Sequence, residues 1–208
     1  MGQAVSLTKI GSGTQTPGGV NTFSGVVSAN GGRLAFATSA NLGDGSGSNT
    51  ITLDGGALAY TGAGGVDLTV NRVVEIAAAG GTLEASGSTG ALTVSGGISF
   101  GSTGNLTKAG PGTVILPAGT GWNGGANSVT MSDGTLRAGF GTAGIGKLTV
   151  GATGNMDFRD SATETLTLGT GAGAITLTGG LGSALSWTRR RMTGSSSRPA
   201  ARRSPAAR

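Results

Sequence analysis

Residues 106–116 read LTKAGPGTVIL, and this stretch decides the fold. Leu106 and Lys108 flank Thr107 in an alternating pattern, a glycine-rich turn follows, and Thr113–Leu116 alternates again. Period-two alternation between turn residues predicts a short β-strand, a tight bend and a second strand.

The same pattern of short alternating segments and turn residues extends from residue 5 to about residue 187, and no stretch shows helical periodicity. A strand spacing of about 8–10 residues is compatible with an antiparallel sandwich or with a solenoid. The predicted strands are residues 50–53, 57–60, 66–70, 91–94, 113–116, 135–138, 147–150 and 174–177.

An internal repeat favours the solenoid. Residues 7–14 (LTKIGSGT) match residues 106–113 (LTKAGPGT) at six of eight positions, at an offset of 99. We therefore predict one β-solenoid over residues 1–188, with repeat units at about 5–104 and 105–188. The repeat-motif residues, which are assigned a structural role, are Leu7, Lys9, Gly11, Gly13, Thr14, Leu106, Lys108, Gly110, Gly112 and Thr113.

Composition restricts the core and the chemistry. Glycine supplies 44 of the 208 residues, aromatic residues make up 4%, and the chain has neither Cys nor His. The sequence therefore predicts a thin core with glycine corners and no disulfide, thiolate zinc site or imidazole base. Residues predicted in inward columns are Leu7, Leu34, Leu53, Leu92, Leu106, Leu116 and Leu136.

The net charge of +5 arises at the C-terminal end. Residues 189–208 hold seven arginines and no acidic residue, whereas residues 1–188 hold seven basic and nine acidic residues. The body therefore lacks the charge pattern of a nucleic-acid-binding surface. We interpret residues 189–208 as a disordered basic tail, with three open origins: a shifted reading frame, a solvated linker, or a segment that binds anionic polymers.

Three short motifs match chemical sites by pattern, and a structural role is predicted for each. Gly97–Gly101 (GISFG) has the serine pattern of hydrolases, but the chain has no histidine base. Gly141–Leu148 resembles a phosphate-binding loop, but strand-like residues follow where a helix is required. Asp44–Asn49 offers loop oxygens for calcium, but with a single carboxylate. No metal or cofactor is predicted.

The densest charge cluster of the body lies between residues 157 and 164. Clustered carboxylates can serve acid–base cleavage of polysaccharides. Alternation places Met156 and Phe158 toward the core. Asp157 and Arg159 are therefore predicted to point to solvent, as on an ordinary solvated face. The cluster consists of Asp157, Arg159, Asp160 and Glu164.

The repeated stretches, together with NTFSG (residues 21–25) and GGRL (residues 31–34), resemble the autotransporter-associated β-strand repeat, also called the passenger-associated transport repeat. Residues 106–116 meet the family pattern, and residues 7–14 meet it less fully because Gln15–Pro17 replaces the strand that follows. The resemblance covers about residues 5–185. It implies a right-handed parallel β-helix in the passenger of a secreted or surface protein, and no catalytic residue.

The expected function is therefore a non-enzymatic structural module that assists passenger folding, export, surface display or adhesion. Expected partners are neighbouring repeats, a translocation barrel of the same or a larger polypeptide, and a host or matrix surface, with no specific nucleic acid. The expected location is the extracellular space or cell surface of a Gram-negative-type bacterium. The alternative is a carbohydrate-binding or polysaccharide-cleaving β-helix protein, for which Trp122 and Trp187 lie far apart in sequence.

The chain begins MGQAVSLTKI, without the pattern of a signal sequence, and no apolar stretch approaches the roughly 18 residues of a membrane span. The repeat also begins by residue 7, so a natural N-terminus here would cut into a rung, and we therefore expect a segment of a longer passenger. End rungs with unpaired backbone groups further predict that the isolated chain self-associates.

Overall fold

The computed structural model describes residues 4–101, 103–117, 126–138 and 145–157, together with the backbone of residues 142–144 and of three later strands. A 3₁₀ helix spans Ser39–Leu42. No helix in this part of the chain has the length and hydropathy needed to cross a membrane. The strands are β1 (Leu7–Lys9), β2 (Thr14–Gln15), β3 (Val27–Ala29), β4 (Arg33–Phe36), β5 (Ile51–Leu53), β6 (Ala57–Tyr60), β7 (Gly65–Asp67), β8 (Val74–Ile76), β9 (Gly81–Ala85), β10 (Ala91–Thr93), β11 (Ile98–Phe100), β12 (Leu106–Ala109), β13 (Thr113–Leu116), β14 (Ser128–Ala138), β15 (Thr142–Ile145), β16 (Lys147–Asp157), β17 (Thr165–Leu168), β18 (Ile175–Leu177) and β19 (Leu185–Ser186).

These strands coil into a β-solenoid of about six turns, in which every described strand pair is parallel. The first face stacks β1, β3, β5, β8 and β11. The second face stacks β2, β4, β6, β9, β12 and the first half of β14, and the third face stacks β7, β10, β13 and the second half of β14. The solenoid predicted from the repeat is confirmed, and the sandwich is excluded.

The core is a set of side-chain columns inside the coil. On the second face Leu34, Leu58 and Leu83 lie in register, one per turn. Each such leucine contributes about 1.5–3 kcal/mol by leaving water. Six of the predicted core leucines are at most 2% exposed, namely Leu34, Leu53, Leu92, Leu106, Leu116 and Leu136. Leu7 is only partly buried, because no described rung covers the first face beyond β1.

Strand boundaries follow the alternation closely, with two differences. The predicted strand at 66–70 ends at Asp67, because the chain bends at Thr69, whose φ is +75°. The predicted strands at 135–138 and 147–150 are parts of the longer β14 and β16. The β14–β16 register shifts between Met131 and Asp133, so that one strand continues around a corner from the second face to the third.

Candidate functional site: two lysine turns

The repeated motif forms a corner of the solenoid in both copies, but at two different corners. We call residues 9–14 the end turn and residues 108–113 the interior turn. The end turn connects β1 on the first face to β2 on the second, whereas the interior turn connects β12 on the second face to β13 on the third. The offset of 99 residues therefore corresponds to four turns of the solenoid plus one face.

In the end turn, the lysine side chain points inward and binds the corner carbonyls. Lys9 is 8% exposed. Its Nζ donates to Ile10 O at 2.6 Å, Gly11 O at 2.7 Å and Gly31 O at 3.2 Å. The third acceptor belongs to the next rung, so the ammonium group joins two successive corners. These bonds satisfy carbonyl groups that the tight bend turns away from the strand ladder.

The interior turn repeats this arrangement in a more enclosed form. Lys108 is fully buried, and its Nζ donates to Ala109 O at 3.1 Å, Gly112 O at 2.7 Å and Asp133 O at 2.9 Å, and also to Gly110 O. Burial lowers the pKa of the Lys108 ammonium group to about 8, although Asp133 and Glu84 favour its charged form. The amine is enclosed by its acceptors, which makes it a structural cap.

A glycine of the following rung closes each turn. Gly32 has φ +59°, and a Cβ there would lie 2.4 Å from both Gly11 O and Gly13 O. Gly134 has φ +64°, and its Cβ would lie 2.4 Å from Gly110 O and 2.5 Å from Gly112 O. Both glycines are required because the backbone is left-handed and the carbonyl groups of the turn approach closely. The lysine, the turn glycines and the next-rung glycine thus form one packing unit.

The remaining motif residues place this unit in the sheets. Leu106 is buried in the core column of β12, whereas Leu7 is partly buried. Thr113 N–H donates to Gly90 O at 2.8 Å and Gly112 N–H to Ala85 O at 3.0 Å, which attaches the interior turn to the preceding rung. Thr14 begins β2 and is exposed.

A second buried polar group was not singled out from the sequence. Arg72 is 1% exposed, and its guanidinium group donates to Asn49 Oδ1 at 2.9 Å, Ser39 O at 2.9 Å and Gly43 O at 2.8 Å. Asn49 is fully buried and donates to Gly25 O at 2.7 Å. Burial lowers the pKa of Arg72, and Asp44 opposes this shift.

The sequence does contain an indication that Asn49 and Arg72 point inward, because both continue the two-residue alternation of the strands that follow them. Asn49 precedes the inward Ile51 and Leu53 by even steps, and Arg72 precedes Val74 and Ile76 in the same way. Inward polar residues at a corner are tolerated when carbonyl groups of neighbouring rungs supply their hydrogen bonds.

An ion pair on the outer surface connects rungs near the two turns. Arg33 Nε lies 2.8 Å from Glu84 Oε2, and the pair bridges the rung of β6 between β4 and β9. Ala59, which pairs with Ala35 on one side and Glu84 on the other, is fully buried. The hydrogen bond from Arg33 holds the pKa of Glu84 below its ordinary value.

The motifs that match chemical sites occupy ordinary strand and loop positions. Ser99 is exposed on the outward side of β11. Lys147, which follows the glycines of the phosphate-loop pattern, begins the strand β16, and Gly141 lies outside the described residues. Asp44 Oδ1 accepts a bond from Ser46 N–H at 2.9 Å. Within the described residues no group of three potential metal ligands comes together.

The charge cluster at 157–164 requires a correction. Asp157 was predicted to point to solvent, but it is 1% exposed and Arg137 Nε donates to its Oδ2 at 3.1 Å. Alternation assigns a side of the sheet, whereas exposure depends on what lies above that side. Met156 is buried, as predicted. Phe158, Arg159, Asp160 and Glu164 lie outside the described residues, as do Trp122, Trp187 and the tail at 189–208.

Comparison with known proteins gives one informative match. No family model matches the chain, so the repeat type suggested by the motif stays a prediction. No solved structure matches it either. In an alignment 195 positions long that covers 84% of this chain, the chain is 31% identical to the adhesin BmaC autotransporter of Brucella suis biovar 1 (strain 1330). It spans 6% of that protein's length. A parallel β-solenoid with this similarity is consistent with a segment of an autotransporter passenger.

Proposed function

We propose that the chain is a non-enzymatic structural repeat module of a secreted or surface-displayed autotransporter-type passenger. The observation that carries the proposal is the parallel stack of the described strands, two of whose corners are closed by lysines bound to carbonyls of two rungs. Similarity to an autotransporter adhesin over 84% of the chain supports the same assignment.

The proposed mechanism is rung-by-rung templating. Each completed rung presents backbone N–H and C=O groups along its edge, and the next rung pairs with them in parallel. Stability in such a stack is approximately a sum over rungs and their interfaces, so folding can advance in one direction as the chain emerges. Folding outside the membrane would then oppose backward movement of the chain and assist export, with the finished stack displaying an adhesive surface.

The test is an export assay with the whole chain fused between a signal peptide and an autotransporter translocation barrel. Surface exposure is measured by protease accessibility on intact cells. We expect efficient display of the wild type and reduced display of Gly134→Val, which cannot close the interior turn. Gly47→Val is the matched control, because a Cβ at Gly47 meets no atom within 4 Å. Equal display of all three would count against a role of folding in export.

A further inference from the structure

The corner between β3 and β4 contains an asparagine–glycine step, Asn30–Gly31. Asn30 directly follows Ala29, the last residue of β3, and is exposed, and Gly31 is half-buried. Among the described residues no hydrogen bond holds the side-chain amide of Asn30, and none engages the N–H group of Gly31. The side-chain carbonyl carbon of Asn30 and the backbone nitrogen of Gly31 are therefore both open to solvent and held by no other group.

The other asparagines of the described residues are held in place. Each has a side-chain hydrogen bond, and each is followed by a residue that carries a side chain. Asn41 Nδ2, for example, donates to Gly19 O at 2.7 Å. Asn30 thus differs from all of them in both respects. The held residues are Asn21, Asn41, Asn49, Asn71, Asn105, Asn127 and Asn155.

The aspartate–glycine steps of the described residues are also held. Their carboxylates are poorer electrophiles than an amide, and in each step the backbone N–H group of the glycine is hydrogen-bonded. Gly31 is the glycine without such a bond in the part of the chain that the structure describes. The bonds are Gly45 N–H to Asn49 Oδ1 at 3.1 Å, Gly55 N–H to Gly80 O at 2.7 Å and Gly134 N–H to Asp133 Oδ1 at 2.8 Å.

We propose that Asn30–Gly31 is a site of spontaneous deamidation, and that the reaction loosens the end turn as the protein ages. The backbone nitrogen of Gly31 attacks the side-chain carbonyl carbon of Asn30, and the new C–N bond closes a cyclic imide. The side-chain nitrogen of Asn30 leaves as ammonia and takes the proton of the Gly31 N–H group. Water then opens the imide at either carbonyl group and leaves an aspartyl or an isoaspartyl linkage. Glycine favours the attack because it has no Cβ to hinder it.

The isoaspartyl product does not fit the corner. Its backbone runs through the former side chain and is one atom longer between residues 30 and 31. Gly31 O accepts a bond from Lys9 Nζ at 3.2 Å. The neighbouring Gly32 is so close to the end turn that a Cβ there would lie 2.4 Å from both Gly11 O and Gly13 O. An extra backbone atom therefore displaces the groups that close the end turn. This proposal does not depend on a role in export.

Both products also add a negative charge beside an existing one. Ala29 pairs with Leu53, so that Asn30 and Asp54 are the next residues in register on neighbouring rungs. Neighbouring rungs are about 4.8 Å apart. The new carboxylate is therefore adjacent to that of Asp54, and like charges at facing positions of a sheet are destabilising.

The site is tested by incubating the folded whole chain in mildly alkaline buffer and then digesting it with trypsin. Cleavage after Lys9 and Arg33 releases residues 10–33, which contain Asn21 as an internal control for Asn30. Digestion in heavy-oxygen water marks any deamidation that occurs during digestion by its extra mass. We expect mass spectrometry to show exchange of the amide for a carboxyl group at Asn30, while Asn21 stays intact.

Gly31→Ala should slow the reaction roughly tenfold, because its methyl group hinders the attacking nitrogen. A Cβ at Gly31 would lie 3.4 Å from Gly11 O, which is van der Waals contact, so the variant should keep the wild-type circular dichroism. Gly47→Ala is the matched control and should react as the wild type does. An intact Asn30, equal loss at Asn21 and Asn30, or an unchanged rate in Gly31→Ala overturns the proposal.

The effect on the end turn is tested by urea unfolding of fresh and aged protein. We expect the aged wild type to unfold at lower urea than the fresh wild type, and aged Gly31→Ala to match its fresh form. Asn30→Asp carries the new charge without the extra backbone atom and should lose less stability than the isoaspartyl form. Equal midpoints for fresh and deamidated wild type overturn the claim that the reaction loosens the end turn.

Discussion

The end turn and the interior turn are built from nearly the same eight residues, but they lie in different surroundings. Lys108 has four carbonyl acceptors and is fully buried, whereas Lys9 has three and is 8% exposed. The interior turn is packed between two rungs, and the end turn is packed on one side. Local sequence therefore forms the bend, while the neighbouring rung determines how enclosed it becomes.

The two turns also occupy different corners, so the motif is not tied to one face of the solenoid. Residues 7–14 lead from the first face to the second, and residues 106–113 from the second to the third. The inward lysine can serve either corner because it binds carbonyl groups of its own bend and one from the next rung. The motif thus encodes a corner of the solenoid and leaves its angular position to the length of the preceding chain.

The largest contrast between the turns is expected for glycine substitutions. Gly112→Ala should lower the free energy of unfolding by about 3 kcal/mol, because its Cβ would lie 2.3 Å from Gly87 O. Gly13→Ala should change it by less than about 0.5 kcal/mol, because its Cβ meets no atom within 4 Å. Urea unfolding followed by circular dichroism measures both. Equal changes in the free energy of unfolding would contradict the difference in packing between the end turn and the interior turn.

Replacing the lysines should give a smaller difference in stability loss between the two turns. Lys108→Met leaves buried carbonyl groups without a donor and should destabilise the chain by about 2 kcal/mol. Lys9→Met should cost less than about 1 kcal/mol, since water can reach the end turn. The same urea series measures the difference. A larger loss from Lys9→Met would mean that the end turn is the more important of the two.

The pH dependence of stability should report on Lys108. The pKa of Lys108 is about 8 in the folded chain and about 10.4 in an unfolded one, so the unfolded state binds more protons between these values. Stability should therefore rise as the pH increases from 8 toward 10. Urea midpoints across this range should rise in the wild type and in Lys9→Met, relative to Lys108→Met. Parallel curves for all three would contradict the lowered pKa.

The smallest effect is expected at the surface bridge between the rungs near the two turns. Arg33→Ala should destabilise by at most about 1 kcal/mol, because both partners are partly exposed. The folded pKa of Glu84 is lowered by Arg33, so the contribution is present above the unfolded pKa and is lost as the pH falls. Urea midpoints at pH 7 and pH 3.5 test this. A difference from the wild type that persists undiminished at the lower pH would assign the effect to packing over Ala59.

Much of the architecture could be predicted from local pattern, while solvent exposure could not. Alternation located the strands and placed Leu53 and Leu136 in the core, because period two holds wherever one side of a strand is covered. It failed for Asp157, since an outward position is exposed only when nothing packs above it. Inward Arg72 followed the same period but was overlooked, because a charged residue is rarely buried without an acidic partner.

The sequence alone determined that this chain is a β-solenoid with glycine at its corners. Alternation and turn residues depend only on residues close together along the chain. The repeat at an offset of 99 residues is a similarity of the sequence to itself. Only the tertiary structure decided that Lys9 and Lys108 are inward caps at different corners, and that one turn is enclosed while the other is open. These properties depend on which rung lies above and below each bend. Contacts of that kind join residues some 20 to 25 positions apart, such as Lys9 with Gly31 and Lys108 with Asp133, and no local pattern specifies them.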